Sequence, residues 1–165
     1  MPRVYLSLGS NCRREVSLAS ALKRLEQAFG PLAVSPVYES EAADAPGDDP
    51  YLNLVVSMDS VLAVPSLKAG LRGIEAALGR VRGRPDVVID IDILLYGDVC
   101  GDFDGLRLPR PELLERAYVL KPLADLAGTE RHPLTGRTFA DHWRDLLPSS
   151  RLRLFSWSTG SSVVP

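Results

Sequence analysis

The segment 87–96, with the sequence VVIDIDILLY, constrains the fold of this chain most. It is rich in β-branched residues and is bounded by Pro85 and Gly97, which is typical of a β-strand. Side chains on a strand alternate between its two faces, so Asp90 and Asp92 point one way and the three isoleucines point the other way. The two aspartates are then neighbours, with their Cα atoms roughly 6 to 7 Å apart.

This aspartate pair predicts a metal site that handles phosphate. Two like charges this close raise each other's pKa, and burial adds a desolvation cost. A hard cation such as Mg²⁺ removes both costs, and a paired-aspartate site suits a metal ion shared with phosphates. Arg80, Arg82 and Arg84 precede the strand, where they can bind phosphate oxygens, so the segment suggests phosphoryl transfer. A solvated sheet face or a surface salt-bridge cluster would explain the same residues.

The composition narrows the class of protein. Of 165 residues, 45% are hydrophobic and 24% are charged, so we expect one globular domain over residues 1–165 with a sizeable core. A formal net charge of −2 implies no general affinity for nucleic acid. We see no signal peptide and no apolar run long enough for a bilayer, and we expect no membrane association. Cys12 and Cys100 lie far apart in the sequence, which argues against a disulfide scaffold and fits a reducing cytoplasm. We therefore expect a cytoplasmic protein, and we expect it to be a monomer.

The hydrophobic periodicity predicts the order of elements. Apolar residues at three- and four-residue steps indicate two amphipathic helices, and shorter apolar runs indicate four strands. The predicted elements are a strand over 3–8, a helix over 16–29, strands over 32–38 and 51–62, a helix over 65–78 and the strand over 87–96. This β-α-β-β-α-β order predicts an α+β fold, a ferredoxin-like core with both helices on one face of the sheet.

The remaining segments carry weaker signals. Residues 41–50 are acidic and are broken by proline and glycine, which indicates a mobile loop or a simple connector. The C-terminal third must add further strands and helices, including a short helix over 118–126 and a helix over 139–147 capped by Thr138. The tail from about residue 156 is small and polar, and we expect it to be disordered.

Four short motifs together resemble a known family. They are SLGSN at 7–11, YLN at 51–53, GRVR at 79–82 and IDIDIL at 89–94, in that order along the chain. They look like the signatures of the 6-hydroxymethyl-7,8-dihydropterin pyrophosphokinases, which act in folate biosynthesis. The resemblance runs from Arg3 to about Leu147. It implies transfer of pyrophosphate from ATP to the hydroxymethyl group of a dihydropterin, with two Mg²⁺ ions between the ATP phosphates and Asp90 and Asp92.

The resemblance also implies roles for individual residues. The pterin would stack between two tyrosines and would be bound at its edge by polar groups; this set is Ser40, Ala43, Tyr51, Asn53 and Tyr118. ATP would be bound by Arg72, Glu75, Arg82, Arg84, Arg110 and Arg116, with Arg82 and Arg116 as the catalytic cations. Spacing alone leaves simpler explanations open, since Tyr51 suits ordinary strand packing, Asn53 suits a turn cap and Glu75 suits a solvated helix face.

This chain departs from the family pattern near the predicted site. The connection 83–88 is shorter than usual and lacks the tryptophan of the family's W-G-P-R-like run, which leaves Arg84 as a candidate replacement for the missing arginine. Arg110 stands where the pattern has histidine, Arg72 where it has glutamine and Glu41 where it has proline. A shortened closing loop excludes water less well, so we expect slower turnover or a different pterin. The alternative is a paralogue that binds a pterin or nucleotide without turnover.

Overall fold

A computed structural model describes residues 1–41, 49–146 and 152–157 of the chain. The strands are β1 (Arg3–Ser10), β2 (Ala33–Val34), β3 (Val37–Ser40), β4 (Tyr51–Asp59), β5 (Asp90–Tyr96), β6 (Gly101–Phe103), β7 (Leu106–Leu108) and β8 (Leu152–Phe155). The helices are α1 (Arg14–Phe29), α2 (Val64–Ala77), α3 (Ala117–Ala127) and α4 (Phe139–Asp145), with a 3₁₀ helix at Pro111–Leu114.

The main sheet has the predicted ferredoxin-like arrangement. Its strand order is β5-β1-β4-β3-β8, and β2 also pairs with β4. Every pairing in it is antiparallel. The predicted second strand is interrupted at Ser35 and Pro36, between β2 and β3. There the Ser35 N–H donates to the Val55 carbonyl at 2.9 Å, and the Ser35 Oγ accepts from the Val55 N–H at 2.9 Å. The predicted β-α-β-β-α-β core is therefore confirmed, and β5 lies at one edge of the sheet.

Two hydrophobic clusters hold the layers together. The larger cluster packs α1 and α2 on one face of the sheet, and Leu6, Leu54 and Ile91 are fully buried in it. The smaller cluster packs α3 and α4 on the opposite face around Val55 and Leu120. Burying each leucine-sized side chain contributes about 1.5 to 3 kcal/mol, so both helix layers are firmly attached. The predicted placement of the first two helices on one face agrees with this packing.

The C-terminal third builds the second layer. β6 and β7 form a separate hairpin, α3 follows the 3₁₀ helix, and Thr138 caps α4 by accepting a hydrogen bond from the Asp141 N–H, as predicted. The sequence predicts further C-terminal strands without placing them, and β8 pairs with β3 and extends the main sheet. Trp157 packs against the larger cluster, whereas residues 158–165 of the predicted tail and residues 42–48 of the predicted loop over 41–50 lie outside the described residues. No helix in the described ranges has the length and apolar character needed to cross a bilayer.

Candidate functional site

The two aspartates of β5 open onto the sheet face that α1 and α2 leave uncovered. Ile91, between them, is fully buried in the larger cluster beneath those helices. Asp90 pairs with Gly9 of β1 and Asp92 pairs with Ser7. Alternation along the strand then places both carboxylates on the opposite face, as the sequence predicts. Their side chains retain 38% and 26% of their exposure, so both are reachable from solvent.

Asp92 is held in an environment that disfavours its charge. Burial, together with the neighbouring charge of Asp90, raises the pKa of Asp92 to about 6. Two guanidinium groups act in the opposite direction, since Arg110 Nη2 lies 3.5 Å and Arg72 Nη2 lies 3.7 Å from Asp92 Oδ1. These distances are longer than those of charge-assisted hydrogen bonds, so the arginines compensate the carboxylate only in part. A bound cation would relieve the remaining cost.

Glu75 of α2 is a buried centre to which several arginines attach. Its side chain is 2% exposed, and its Oε2 accepts a hydrogen bond from the Ile91 N–H at 2.7 Å. Its Oε1 binds Arg72 Nη1 at 2.5 Å and Arg82 Nη2 at 3.0 Å. Arg80 Nη1 lies 3.5 Å from its Oε2. The solvated helix position that spacing left open for Glu75 is therefore wrong, while its assignment to ATP stays a prediction.

Arginine side chains also cover the free edge of β5. Arg80 Nη1 donates to the Ile89 carbonyl at 2.9 Å and to Asp90 Oδ1 at 3.0 Å. Arg110 Nε donates to the Ile93 carbonyl at 3.1 Å. An edge strand presents unpaired backbone groups, and these contacts satisfy part of them. The sequence places Arg80 among the arginines that can bind phosphate but gives it no individual role, and its contacts with the strand were not predicted.

A basic cavity of about 360 Å³ adjoins this edge. It brings together Arg72, Arg110 and Asp92 of the predicted set. Its lining adds Lys68 and Arg107, which are not among the site residues predicted from sequence. Lys68 precedes Arg72 by one helical turn, so the spacing on α2 was the signal that could have found it. A concave site with several cations suits a polyphosphate, because each cation can bind phosphate oxygens.

The other predicted phosphate ligands lie outside this cavity. Arg82 is bound to Glu75, whereas Arg84 is exposed in the segment 83–88. Arg116 is half-buried at the N-cap of α3. Within the described ranges, neither Arg84 nor Arg116 forms an ion pair, so their charges remain available for a ligand.

Asn11 anchors the shortened segment 83–88. Its Nδ2 donates to the Pro85 carbonyl at 3.1 Å, and its Oδ1 accepts from the Val87 N–H at 2.5 Å. The backbone N–H of Asn11 also donates to the Val87 carbonyl at 3.0 Å. The SLGSN motif thus has a structural function here, because its asparagine ties the segment that carries Arg84 to the end of β1.

The described pterin residues gather at the ends of β3 and β4. Ser40 pairs with Tyr51 across the two strands, and Asn53 Nδ2 donates to Ser40 Oγ at 2.8 Å. Asn53 is 7% exposed and lies inside β4, so it is not a turn cap. Tyr118 lies near the start of α3, which packs on β3 and β4. Ala43 lies outside the described residues.

One row of the sheet joins the two halves of the site. Gly9 pairs with Asp90 on one side and with Asn53 on the other, so all three residues lie opposite each other on one face. A Cβ at Gly9 would lie 3.0 Å from Asn53 Oδ1 and 3.6 Å from the ring of Tyr51. Adjacent strands are about 4.8 Å apart, which places Asp90 and Asn53 about 10 Å apart. The residue between them is Gly9, which has no side chain.

The donor set of the aspartate pair fits Mg²⁺ that is shared with a ligand. Carboxylate oxygens are its preferred protein ligands, and Mg²⁺ is commonly bound by one or two carboxylates together with substrate phosphates. Within the described ranges, no group of three or more histidine, cysteine or acidic residues is arranged to hold a metal ion. The pair therefore supplies two ligands, and the basic cavity beside it can hold the phosphates that would complete the coordination.

The fold and the site define a ferredoxin-like α+β protein with a paired-aspartate, arginine-rich site at the edge of its sheet. The family model of 7,8-dihydro-6-hydroxymethylpterin-pyrophosphokinase (HPPK) matches residues 5–128. The chain belongs to this family, as its four motifs suggested.

Curated relatives agree with this assignment, and a solved structure shares the fold. The chain is 40% identical over 138 residues to the 2-amino-4-hydroxy-6-hydroxymethyldihydropteridine pyrophosphokinase of Pseudomonas aeruginosa, covering 79% of this chain and 84% of that protein. It is 32% identical over 148 residues to the folic acid synthesis protein fol1 of Pneumocystis carinii, covering 87% of this chain and a fifth (20%) of that protein. The Plasmodium falciparum HPPK-DHPS structure with pteroate matches with a TM-score of 0.70 and 16% identity, covering 87% of this chain and 44% of that one. The likeness to that structure shows the fold alone.

Proposed function

We propose that this chain transfers pyrophosphate from ATP to the hydroxymethyl group of 6-hydroxymethyl-7,8-dihydropterin, giving AMP, as a step of folate biosynthesis. The observation that carries the proposal is the row of Asp90, Gly9 and Asn53 on one sheet face. This row places Asp90, in the half of the site that would bind phosphates, about 10 Å from Asn53, in the half that would bind a flat heterocycle. Membership of the HPPK family supports the same reaction.

On this proposal the cations of the site bind and orient ATP. Arg72 and Arg110 line the cavity beside Asp92, and Arg82 lies beside them on Glu75. We infer that Arg82 and Arg116 contact the transferred group, with Arg84 as a further phosphate ligand. Guanidinium groups suit this task, because they stay charged and bind two phosphate oxygens at once. Two Mg²⁺ ions held by Asp90 and Asp92 would neutralise charge that develops on the phosphates.

The pterin would be bound by the residues at the ends of β3 and β4. The side-chain amide of Asn53 offers both a donor and an acceptor to the pyrimidinone edge, and Ser40 fixes its orientation. Tyr51 and Tyr118 would stack on the pterin faces, and Ala43 would complete the pocket. Such stacking contributes about 1 to 3 kcal/mol per ring, by analogy with nucleic-acid bases. Holding the hydroxymethyl group and the phosphate chain in one geometry supplies much of the rate enhancement.

We keep a second candidate, a protein that binds these ligands without turnover or acts on another pterin. The segment 83–88 favours it, because this segment lacks the family's tryptophan and leaves Arg84 exposed. On either candidate we infer one domain, since both hydrophobic clusters share strands of one sheet. We also infer a cytoplasmic monomer; Cys12 and Cys100 are both free thiols, which fits a reducing compartment.

The test measures release of AMP from ATP with each of several dihydropterins and without any. Production of AMP that depends on 6-hydroxymethyl-7,8-dihydropterin supports the proposed enzyme. Production of AMP only with another dihydropterin supports an enzyme that acts on that other pterin. Binding of pterin without AMP leaves only the binding protein. Asp90→Ala and Asp92→Ala should abolish release while the protein stays folded. Asp98→Ala is the matched control, because Asp98 is exposed just beyond the same strand.

A further inference from the structure

A charged cluster lies on the opposite face of the sheet from the pterin residues. Glu39 Oε2 binds Arg14 Nη1 of α1 at 2.6 Å, and Glu39 Oε1 binds Arg153 Nη2 of β8. We call Arg14, Glu39 and Arg153 the Glu39 clamp. Glu39 is only 16% exposed and Arg14 is 26% exposed, so their contact is partly shielded from solvent. The hydrogen bond from Arg14 holds the pKa of Glu39 below its ordinary value.

The clamp is attached to four separate pieces of the chain. Besides Glu39, Arg14 Nη1 donates to the Pro50 carbonyl at 3.2 Å, and its guanidinium lies 5.6 Å from the ring centre of Phe155. Arg14 therefore connects the start of α1 with the end of β3, the residue before β4 and strand β8. Glu39 and Arg153 are also direct partners in the pairing of β3 with β8.

This position makes the clamp the support of the pterin residues. Glu39 directly precedes Ser40 on β3, and successive side chains on a strand point to opposite faces of the sheet. The contacts that hold the Glu39 side chain on one face therefore also fix the backbone that directs Ser40 to the other face. Pro50 directly precedes Tyr51, which pairs with Ser40. Ser40 Oγ in turn accepts the hydrogen bond of Asn53 at 2.8 Å. The clamp thus holds the backbone immediately before two of the predicted pterin contacts, Ser40 and Tyr51.

We propose that Arg14, Glu39 and Arg153 are positioning residues that hold Ser40, Tyr51 and Asn53 in the arrangement that binds the pterin. This inference rests on the proposed function, and it deepens that function by giving the N-terminal turn of α1 and strand β8 a role in pterin affinity. None of the three side chains touches the pterin on this proposal. They act through the strand ends, because binding groups that are already held in the bound arrangement lose less conformational freedom when the pterin binds.

The experiment uses the full chain and compares Glu39→Gln, Arg14→Met and Arg14→Lys with the wild type. The dissociation constant of 6-hydroxymethyl-7,8-dihydropterin is measured by calorimetry with Mg²⁺ and a non-hydrolysable ATP analogue present. KM and kcat follow from AMP release. Arg137→Met is the matched control, since it removes the 2.5 Å ion pair of Arg137 with Asp145 of α4, which does not involve β3. Thermal unfolding confirms that each variant is folded.

We expect Glu39→Gln and Arg14→Met to raise the pterin dissociation constant and KM about tenfold, while kcat and the affinity for ATP change less than about twofold. Arg14→Lys keeps a charged donor and should recover most of the loss, and Arg137→Met should change nothing. Folded variants with unchanged pterin affinity would overturn the proposal, as would an equal loss of affinity for both ligands.

Further outcomes distinguish a failure of the clamp proposal from a failure of the proposed reaction. If Glu39→Gln does not fold, Arg153→Met tests the exposed arm of the clamp, because its side chain is 75% exposed. A rise of about threefold in the pterin dissociation constant supports the clamp, and no rise counts against it. A wild type that turns over pterin while the variants match it refutes the clamp alone. A wild type that binds no pterin refutes the proposed function and the clamp together.

Discussion

Replacing Asp92 by asparagine is expected to stabilise the metal-free protein at neutral pH. Burial and the charge of Asp90 raise the pKa of Asp92 to about 6, compared with an ordinary value of 3.8. A pKa difference of this size corresponds to about 3 kcal/mol of cost for the ionised carboxylate in the folded state. The side chain is 26% exposed, and solvent screening reduces the expected gain to about 1 to 2 kcal/mol.

The same reasoning fixes the direction of the pH dependence. The folded pKa of Asp92 lies above the unfolded value, so the folded protein binds more protons than the unfolded chain between about pH 4 and pH 6. Its free energy of unfolding therefore falls as the pH rises through this window and stays lower above it. Asp92→Asn removes this contribution, so the gain in stability should reach about half of its full value near pH 5 and be complete near pH 7.5.

Urea denaturation in the presence of a chelator measures both effects. Wild type and Asp92→Asn are compared at pH 5 and pH 7.5, with Asp145→Asn as the control because Asp145 is 59% exposed and pairs with Arg137 at the surface. Mg²⁺ with an ATP analogue should then stabilise the wild type and not Asp92→Asn. Destabilisation by Asp92→Asn at pH 7.5, or an equal gain at both pH values, would refute the electrostatic argument.

Three further predictions address other parts of the site. Glu75→Gln should destabilise the fold by on the order of 3 kcal/mol and lower ATP affinity, because it leaves buried donors without their carboxylate; urea denaturation and ATP titration check this. Tyr118→Ala should weaken pterin binding by about 1 to 3 kcal/mol without changing ATP affinity, as measured by calorimetry. Gly9→Ala should raise the pterin KM severalfold at nearly unchanged kcat, since its Cβ would lie 3.0 Å from Asn53 Oδ1; an unchanged KM would show that Asn53 does not need that space.

The core of the fold was predictable because its signals are local. The helical periodicity of α1 and α2 and the strand pattern of β5 each lie within one short segment, and their order limits the topology. β8 could not be predicted in this way. Its four residues carry little pattern of their own, and its place depends on β3, whose Glu39 lies 114 residues before Arg153. The same separation concealed the contact between those two side chains.

The site was predictable only where neighbouring residues carry the chemistry. Asp90 and Asp92 share one strand, so alternation alone placed both carboxylates on one face. Glu75 shows the limit of this approach, because a charged residue on an amphipathic helix ordinarily faces solvent. Its burial follows from the position of β5 at the sheet edge, where the Ile91 N–H needs an acceptor. Sequence does not show which strand lies at an edge.

The edge position of β5 also explains why the arginines around the aspartates differ in what they can do. Arg80 is 15% exposed and is bound to Ile89 and Asp90, so it serves mainly to hold the strand. Arg82 is 58% exposed and is attached to the protein through Glu75 at 3.0 Å. It can therefore contact a phosphate while Glu75 keeps its orientation, whereas Arg84 has no such anchor among the described residues. If the reaction is slow in this chain, the cause lies in the unanchored Arg84, and the phosphate contacts that depend on Glu75 should be intact.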